Sequence, residues 1–138
     1  MRRQVLSACL VLSLVLLYAC ASMAPISSED VGGAPTVYAK VINPPNPKLL
    51  GHYRRSNPDG LRNPWAFNYW MVKRGDKYAV YYYYDSHRKN AYKGWADFTI
   101  DGNTITSNVD GVTFFIDGDK IRMGFPGRTE TYHMMPVD

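Results

Sequence analysis

Short strand-forming runs alternate with compact turns from residue 48 to residue 138, and this pattern limits the fold more than any other feature. The runs are rich in Tyr, Trp, Phe, Val, Ile and Thr, and Asp, Asn, Gly and Pro separate them. No segment of this region shows an apolar period of 3.6 residues, so helices are not expected there. We predict eight strands, at residues 49–55, 65–74, 77–84, 91–100, 104–107, 112–117, 120–125 and 129–134.

Tight turns of the Asp-Gly type favour antiparallel pairing of consecutive strands, which predicts an all-β meander. A meander of this length avoids free edges most simply by closing on itself. We therefore predict a small eight-stranded up-and-down barrel over residues 48–138, with a two-sheet sandwich as the alternative. Pro, Gly and Ser are frequent in residues 20–47, which indicates a flexible tether. Its run at residues 36–42 is apolar and β-branched enough to form an edge strand.

Side-chain alternation gives a sharper prediction for the hairpin around Gly75 and Asp76. A two-residue turn there pairs Arg74 with Lys77, and every later pair of the hairpin follows. The face expected inside the barrel carries Phe67, Tyr69, Met71, Val80, Tyr82 and Tyr84, together with Phe98, Ile105, Phe114, Ile116, Ile121 and Met123. The face expected outside carries Trp70, Val72, Ala79, Tyr81 and Tyr83. An exposed patch of Trp70, Tyr81 and Tyr83 indicates an interaction surface, unless the tether folds over it, especially through residues 37–42.

The N-terminal residues indicate export and membrane attachment. Arg2 and Arg3 precede an apolar run at residues 5–19 that is too short for a membrane-spanning helix. The run ends in Leu17-Tyr18-Ala19-Cys20, which resembles the lipobox of bacterial lipoproteins. The resemblance implies a signal peptide at residues 1–19 and acylation of Cys20, which becomes the first residue of the mature chain. The alternative is a plain secretory signal cut after Ala21, which leaves no cysteine.

The same resemblance implies a location. In bacterial lipoproteins an Asp after the acylated cysteine favours retention in the inner membrane, whereas this chain has Ala21. If the host cell is Gram-negative, the resemblance implies a lipid anchor in the outer membrane and a domain that faces the periplasm. The membrane is therefore an expected partner, through the anchor.

A second resemblance concerns the domain itself. Leu50-Gly51-His52-Tyr53, at the start of the first predicted strand, is similar to the Gly-x-Trp motif that opens lipocalin-like domains. Arg128 precedes the last predicted strand, where lipocalins often carry an arginine that packs over the aromatic residue of the first strand. The resemblance covers residues 48–138 and implies a barrel that holds a small apolar ligand. The interior residues available to that ligand are Phe67, Tyr69, Met71, Tyr82, Tyr84 and Phe114.

Basic side chains concentrate in one half of the domain. Residues 40–93 contain eleven basic and three acidic side chains, whereas residues 94–138 contain three basic and seven acidic ones. This asymmetry favours an anionic surface or an acidic protein as partner, or it serves only to keep the loops solvated. Nucleic acid is not expected as a partner, because an exported, membrane-anchored chain rarely meets it.

Patterns of catalysis and metal binding are missing from the sequence. His52, His87 and His133 lie on different predicted elements and lack the spacing of metal ligands. Neither a glycine-rich phosphate loop nor a Gly-x-Ser-x-Gly nucleophile motif occurs. We therefore predict a protein that is not an enzyme and that uses neither a metal nor another cofactor.

Two functions remain as hypotheses. The first is a non-catalytic binding module that holds a small apolar or lipid-like ligand inside the barrel. The second is a protein-interaction lipoprotein, either an envelope assembly factor or an inhibitor or immunity protein. Such a protein binds an envelope partner through an outer surface of aromatic and basic residues, here Trp70, Tyr81, Tyr83, Arg88 and Lys89.

Overall fold

Ten β-strands and one short helix make up the part of the chain that the structure, a computed structural model, describes: residues 25–56, 67–86 and 90–137. Helix α1 spans Ser28–Gly32, and a 3-10 turn spans Pro47–Leu49. The strands are β1 (Lys40–Asn43), β2 (Gly51–Arg55), β3 (Phe67–Arg74), β4 (Lys77–Ser86), β5 (Asn90–Ala96), β6 (Phe98–Asp101), β7 (Thr104–Ser107), β8 (Thr113–Asp117), β9 (Lys120–Gly124) and β10 (Thr131–Pro136). The predicted signal peptide, Cys20, Arg88 and Lys89 lie outside the described residues. Within those residues, no helix has the length and apolar character needed to cross a membrane.

The hairpin of β3 and β4 confirms the predicted register. Arg74 pairs with Lys77 across the turn, and Phe67 pairs with Tyr84 at the far end. Gly75 has a φ of 64° in this turn, a left-handed conformation that glycine adopts without steric cost. Because alternate side chains face opposite sides, this register sorts the aromatic residues of both strands into the two predicted sets.

All ten strands belong to one mixed sheet, in the order β1-β6-β7-β8-β9-β10-β2-β3-β4-β5. Strands β1 and β6 are parallel, and the other neighbouring pairs are antiparallel. The first and last predicted strands pair as β2 and β10, with Arg55 opposite Met134. The sheet curls into a half-barrel that encloses the main core on its concave face.

The all-β class is confirmed, but the predicted closed, eight-stranded up-and-down barrel is wrong, and the predicted meander is divided into two antiparallel runs, β2 to β5 and β6 to β10. The run predicted as one strand at residues 91–100 breaks at Asp97 into β5 and β6. Strand β5 pairs with β4, and β6 pairs with β7, so no ladder within the described sheet joins β5 to β6. Strand β1 adds a parallel neighbour at one edge, which an up-and-down barrel does not contain.

Side chains on the concave face form the main hydrophobic core. Tyr69, Tyr82 and Phe114, all predicted for the interior, have no exposed surface. Tyr84 and Ile116 are half-buried and pack at the margin of the core. The other predicted interior residues are buried: Phe67, Met71, Val80, Phe98, Ile105, Ile121 and Met123. The predicted interior face is therefore confirmed.

Residues 25–47, where the sequence indicates a flexible tether, contain regular structure that packs on the sheet. Ser27 caps α1, because its backbone N–H donates to Asp30 Oδ2 over 2.7 Å and the Asp30 N–H donates to Ser27 Oγ over 3.3 Å. The predicted edge strand is confirmed in part as β1, which overlaps its C-terminal end and lies at one edge of the sheet. Ile26 and Val31 are buried, so this segment belongs to the folded body.

Candidate functional site

Aromatic side chains fill the deep part of the half-barrel. The ring centroids of Tyr69 and Phe114 are 4.7 Å apart, and Tyr82 packs edge-on against Phe98 at 5.4 Å. The Tyr69 hydroxyl donates to a backbone carbonyl over 3.1 Å, so its polar atom is satisfied inside the core. Met71 is buried beside them. Four of the predicted ligand residues are therefore core side chains rather than the walls of a cavity.

A pocket of about 330 Å³ opens at the end of the sheet where β3 begins and β4 ends. Its lining residues are Phe67, Tyr84, Asp110, Val112, Phe125, Pro126 and Arg128. Phe67 and Tyr84 are the two predicted ligand residues that reach it. We call this space the mouth pocket, because it lies at the open end of the half-barrel beside the filled core.

Contacts between rings hold the wall of the mouth pocket. Phe67 stacks on Tyr84 with ring centroids 6.4 Å apart, and Phe125 packs edge-on against Phe67 at 5.1 Å. Tyr132 packs edge-on against Phe125 at 5.8 Å. These rings come from β3, β4, β10 and the loop after β9, and they brace one another, so the wall is formed without a ligand.

Asp110 is the acidic side chain among the described residues that line the mouth pocket, and both of its oxygens accept hydrogen bonds. The Tyr82 hydroxyl donates to Oδ2 over 2.9 Å, and the Val112 N–H donates to Oδ1 over 3.1 Å. Burial raises the pKa of Tyr82 far above its usual range, and the charge of Asp110 raises it further. Tyr82 therefore stays protonated and remains the donor in this pair.

Two arginines flank the aromatic wall. The Cζ atom of Arg128 lies 5.5 Å from the ring centroid of Phe125. The Cζ atom of Arg55, on β2, lies 5.5 Å from the centroid of Phe67 and 5.3 Å from that of Tyr132. Burial lowers the pKa of the Arg55 guanidinium. The Arg55 Nε atom is buried and has no hydrogen-bond partner in the described structure.

Arg55 and Phe125 are site residues that the sequence-based prediction does not include. Arg55 follows Tyr53 by two positions on β2, so strand alternation places both side chains on one face, and Tyr53 stacks on Tyr69 at 5.6 Å. That alternation is the sequence signal for Arg55. Arg128, which the lipocalin resemblance places over the first-strand aromatic Tyr53, instead lies over Phe125.

The opposite face of β3, β4 and β5 carries the aromatic residues predicted as an outer patch. Trp70, Tyr81 and Tyr83 belong to one cluster there, and Trp95 joins it by an edge-on contact with Tyr81 at 5.2 Å. His52 extends the cluster, because its ring stacks on Trp70 at 4.6 Å. The predicted grouping of these aromatic residues is therefore confirmed.

The N-terminal segment covers this outer patch, as the alternative prediction states, but through Ile26 and Val31 rather than residues 37–42. Tyr83 is only 3% exposed as a result. Polar contacts beside the patch help to hold the segment: an Arg74 N–H donates to the Val31 carbonyl over 2.5 Å, and Lys93 Nζ lies 3.2 Å from Asp30 Oδ2. The outer patch is therefore an internal contact for most of its area.

A smaller pocket of about 230 Å³ lies at the opposite end of the sheet. Charged side chains such as Lys48, Asp119 and Lys120 contribute much of its lining, and Tyr53 is its one aromatic ring besides His133. In the described ranges, no three His, Cys, Asp or Glu side chains lie close enough together to hold a metal ion. The mouth pocket is therefore the better candidate for an apolar ligand.

The fold and the site define an all-β protein with a curled half-barrel sheet, a filled aromatic core and an aromatic pocket at its mouth. No protein-family model matches the chain, and neither a curated protein nor a solved structure matches it.

Proposed function

We propose that the protein is a membrane-anchored lipoprotein whose half-barrel is a non-catalytic binding module for a small apolar or lipid-like ligand. The mouth pocket carries this proposal. Its volume of about 330 Å³ is at the lower end of the roughly 300–1,000 Å³ typical of ligand pockets, and three of its seven described lining residues are aromatic. The ligand contacts Phe67, Tyr84 and Phe125, whereas the filled core excludes it from the deep interior.

The anchor in this proposal is Cys20, acylated after removal of residues 1–19, in an outer membrane facing the periplasm if the host is Gram-negative. The support is the Leu17-Tyr18-Ala19-Cys20 sequence. Mass spectrometry of the N-terminal peptide from the membrane fraction tests it. We expect a peptide that begins at Cys20 and carries acyl chains. An unmodified peptide that begins at Ser22 would contradict the anchor while leaving the binding module unaffected.

The protein-interaction alternative, through Trp70, Tyr81 and Tyr83, has less support. Its central residue Tyr83 is buried beneath the N-terminal segment, so a partner would first have to displace Ile26 and Val31. The mouth pocket needs no such rearrangement. The pocket is therefore the better-supported site.

Photolabelling in a membrane tests the binding module. The full chain, reconstituted in phosphatidylcholine nanodiscs, is exposed to an octanol analogue that carries a diazirine in its chain, and labelled residues are located by mass spectrometry. We expect saturable labelling at Phe67, Tyr84 or Phe125, because these rings line the mouth pocket. Labelling without saturation, or spread evenly over the protein, would argue against a built site.

A matched pair of variants sharpens this test. Phe125→Ala removes a ring from the wall of the mouth pocket, whereas Phe115→Ala removes an equally half-buried phenylalanine from β8, outside the pocket. We expect the first variant to lose saturable labelling and the second to retain it. Equal labelling of both variants would show that the octanol analogue binds elsewhere.

A further inference from the structure

Arg55 has an environment that its own chain does not complete. Its guanidinium Cζ lies 5.5 Å from the ring centroid of Phe67 and 5.3 Å from that of Tyr132, and its Nε is buried without a hydrogen bond. Among the described residues, no Asp or Glu forms a salt bridge with it. Folded proteins rarely bury a charged donor without an acceptor, so the unpaired Nε atom calls for an explanation.

The rings stabilise the charge of Arg55 but cannot accept its hydrogen bonds in the usual way. Cation–π contacts form over the faces of the rings, whereas the N–H groups of a guanidinium point outward in its own plane. Arginine binds carboxylate and phosphate through pairs of these in-plane N–H groups, which contacts with ring faces do not occupy. Phe67 also lines the mouth pocket, so the Arg55 guanidinium adjoins the pocket through this ring.

The charges around the mouth pocket favour an anion over a cation. Arg128 lines the pocket, and Arg55 adjoins it through Phe67. Asp110 is the acidic residue of the lining, and its oxygens already accept from Tyr82 and from a backbone N–H. The Phe67 and Phe125 rings are already in contact with guanidinium groups, which makes these two rings less favourable for a cationic ligand.

We propose that the ligand of the mouth pocket is an anionic amphiphile, whose carboxylate or phosphate group is bound by Arg55 with Arg128 and whose apolar chain lies against Phe67 and Phe125. This inference rests on the proposed function, since it names the chemical class of the ligand for the same pocket. The anionic group supplies the acceptor that Arg55 lacks. The apolar chain accounts for the aromatic wall.

Two probes that differ only in the head group test the inference. The full chain in phosphatidylcholine nanodiscs is titrated with the diazirine octanol and with the corresponding diazirine octanoate, and the concentration for half-maximal labelling is measured for each. We expect the octanoate to reach half-maximal labelling at a concentration about tenfold lower, as a charge-assisted hydrogen bond of ordinary strength would give. Equal concentrations for the two probes would overturn the inference and leave the proposed function standing. Absence of saturable labelling by either probe would overturn both.

Variants then assign the preference to Arg55. Arg55→Gln should bring the two probes to within about twofold of each other, because the bidentate charge is lost. Arg122→Gln is the matched control, since Arg122 is a half-buried arginine whose guanidinium already donates to Thr131. Arg128→Gln, at an exposed position, should weaken the preference without a folding defect and so keeps the test informative if Arg55→Gln fails to fold. A preference that survives in a folded Arg55→Gln variant would refute the assignment, and if that variant does not fold, a preference unchanged in Arg128→Gln would refute it.

Discussion

The N-terminal segment should stabilise the fold through Ile26, and a matched isoleucine on the same segment provides the control. Ile26 is 4% exposed in the aromatic cluster of the outer face, whereas Ile42 on β1 is 58% exposed. Ile26→Ala removes three buried carbon groups, which at about 0.8 kcal/mol each predicts a loss of about 2.4 kcal/mol. Ile42→Ala removes mostly solvated carbon and some strand propensity, so we expect a loss below about 1 kcal/mol.

Urea unfolding of the two variants, followed by circular dichroism, measures both values. With a slope of about 1–1.5 kcal/mol per molar urea for a domain of this size, Ile26→Ala should lower the midpoint by about 2 M and Ile42→Ala by well under 1 M. Tryptophan emission supplies a local signal, because Trp70 and Trp95 pack in the same cluster as Ile26. A red shift is expected for Ile26→Ala alone. Equal midpoints and identical emission spectra for the two variants would refute the packing of this segment.

Three further predictions concern single side chains. Burial lowers the pKa of His52 below 6.5, a shift that a hydrogen bond to an asparagine only partly offsets. The fold therefore favours neutral His52, so its contribution to the free energy of unfolding is complete above about pH 6.5 and is lost as the pH falls through the lowered pKa. His52→Gln should flatten this pH dependence in unfolding titrations between pH 7 and pH 5. Tyr82→Phe should cost about 1–2 kcal/mol in urea, because it removes the hydroxyl that donates to Asp110. Gly111→Ala should lower the free energy of unfolding by about 2 kcal/mol, and Gly118→Ala should lower it less. Both glycines have a positive φ, but a new Cβ would lie 3.2 Å from a proline ring at Gly111 and would meet no atom within 4 Å at Gly118.

The parts of the fold that the sequence predicts well are those fixed by local rules. One tight turn at Gly75 sets the register of β3 and β4, and strand alternation then assigns every side chain of the hairpin to a face. The same alternation, applied to Tyr53 and Arg55 on β2, predicts that a guanidinium lies on the concave face. Arginine side chains are mostly exposed in folded proteins, so the composition of β2 alone does not predict that Arg55 packs against this hydrophobic face.

The break at Asp97 depends instead on contacts distant in sequence. Residues 91–100 have strand-forming composition on both sides of Asp97, so the run reads as one strand. In the fold, the Asn108 N–H donates to the Asp97 carbonyl over 2.9 Å, and the Asn108 side chain donates to its carboxylate over 3.2 Å. These bonds engage Asp97 between β5, which pairs with β4, and β6, which pairs with β7. Sequence periodicity carries no information on such a partner.

Helix α1 had a local signal, the Ser27-x-x-Asp30 capping box, but Gly and Pro around it favour a tether. Whether such a segment is ordered depends on the apolar surface that is available for it to pack against. Here Val31 meets the aromatic cluster around Tyr83, whose burial offsets the entropy of ordering a short chain. The filled interior is a similar case, because the volume left between many large rings depends on how they interdigitate and not on which residues face inward.

The N-terminal segment also has a defined direction on the sheet. Asp30 pairs with Lys93, which lies opposite Tyr83, next to Tyr84 of the mouth pocket. Further along, the Ala39 N–H donates to the Tyr78 carbonyl over 2.8 Å, close to the hairpin turn. Between Asp30 and Ala39 the segment therefore runs along the hairpin toward its turn.

The short distance between Cys20 and the folded body links the proposed anchor to the proposed ligand. Among the described residues Ile26 is the first buried side chain, six positions after Cys20, and six residues span at most about 20 Å even when fully extended. A flexible tether of about 27 residues would instead hold the domain roughly 30 Å away. If Cys20 is acylated as we propose, the short link keeps the folded body close to the membrane surface. The membrane that carries the protein is then a natural source of the amphiphilic ligand that we propose.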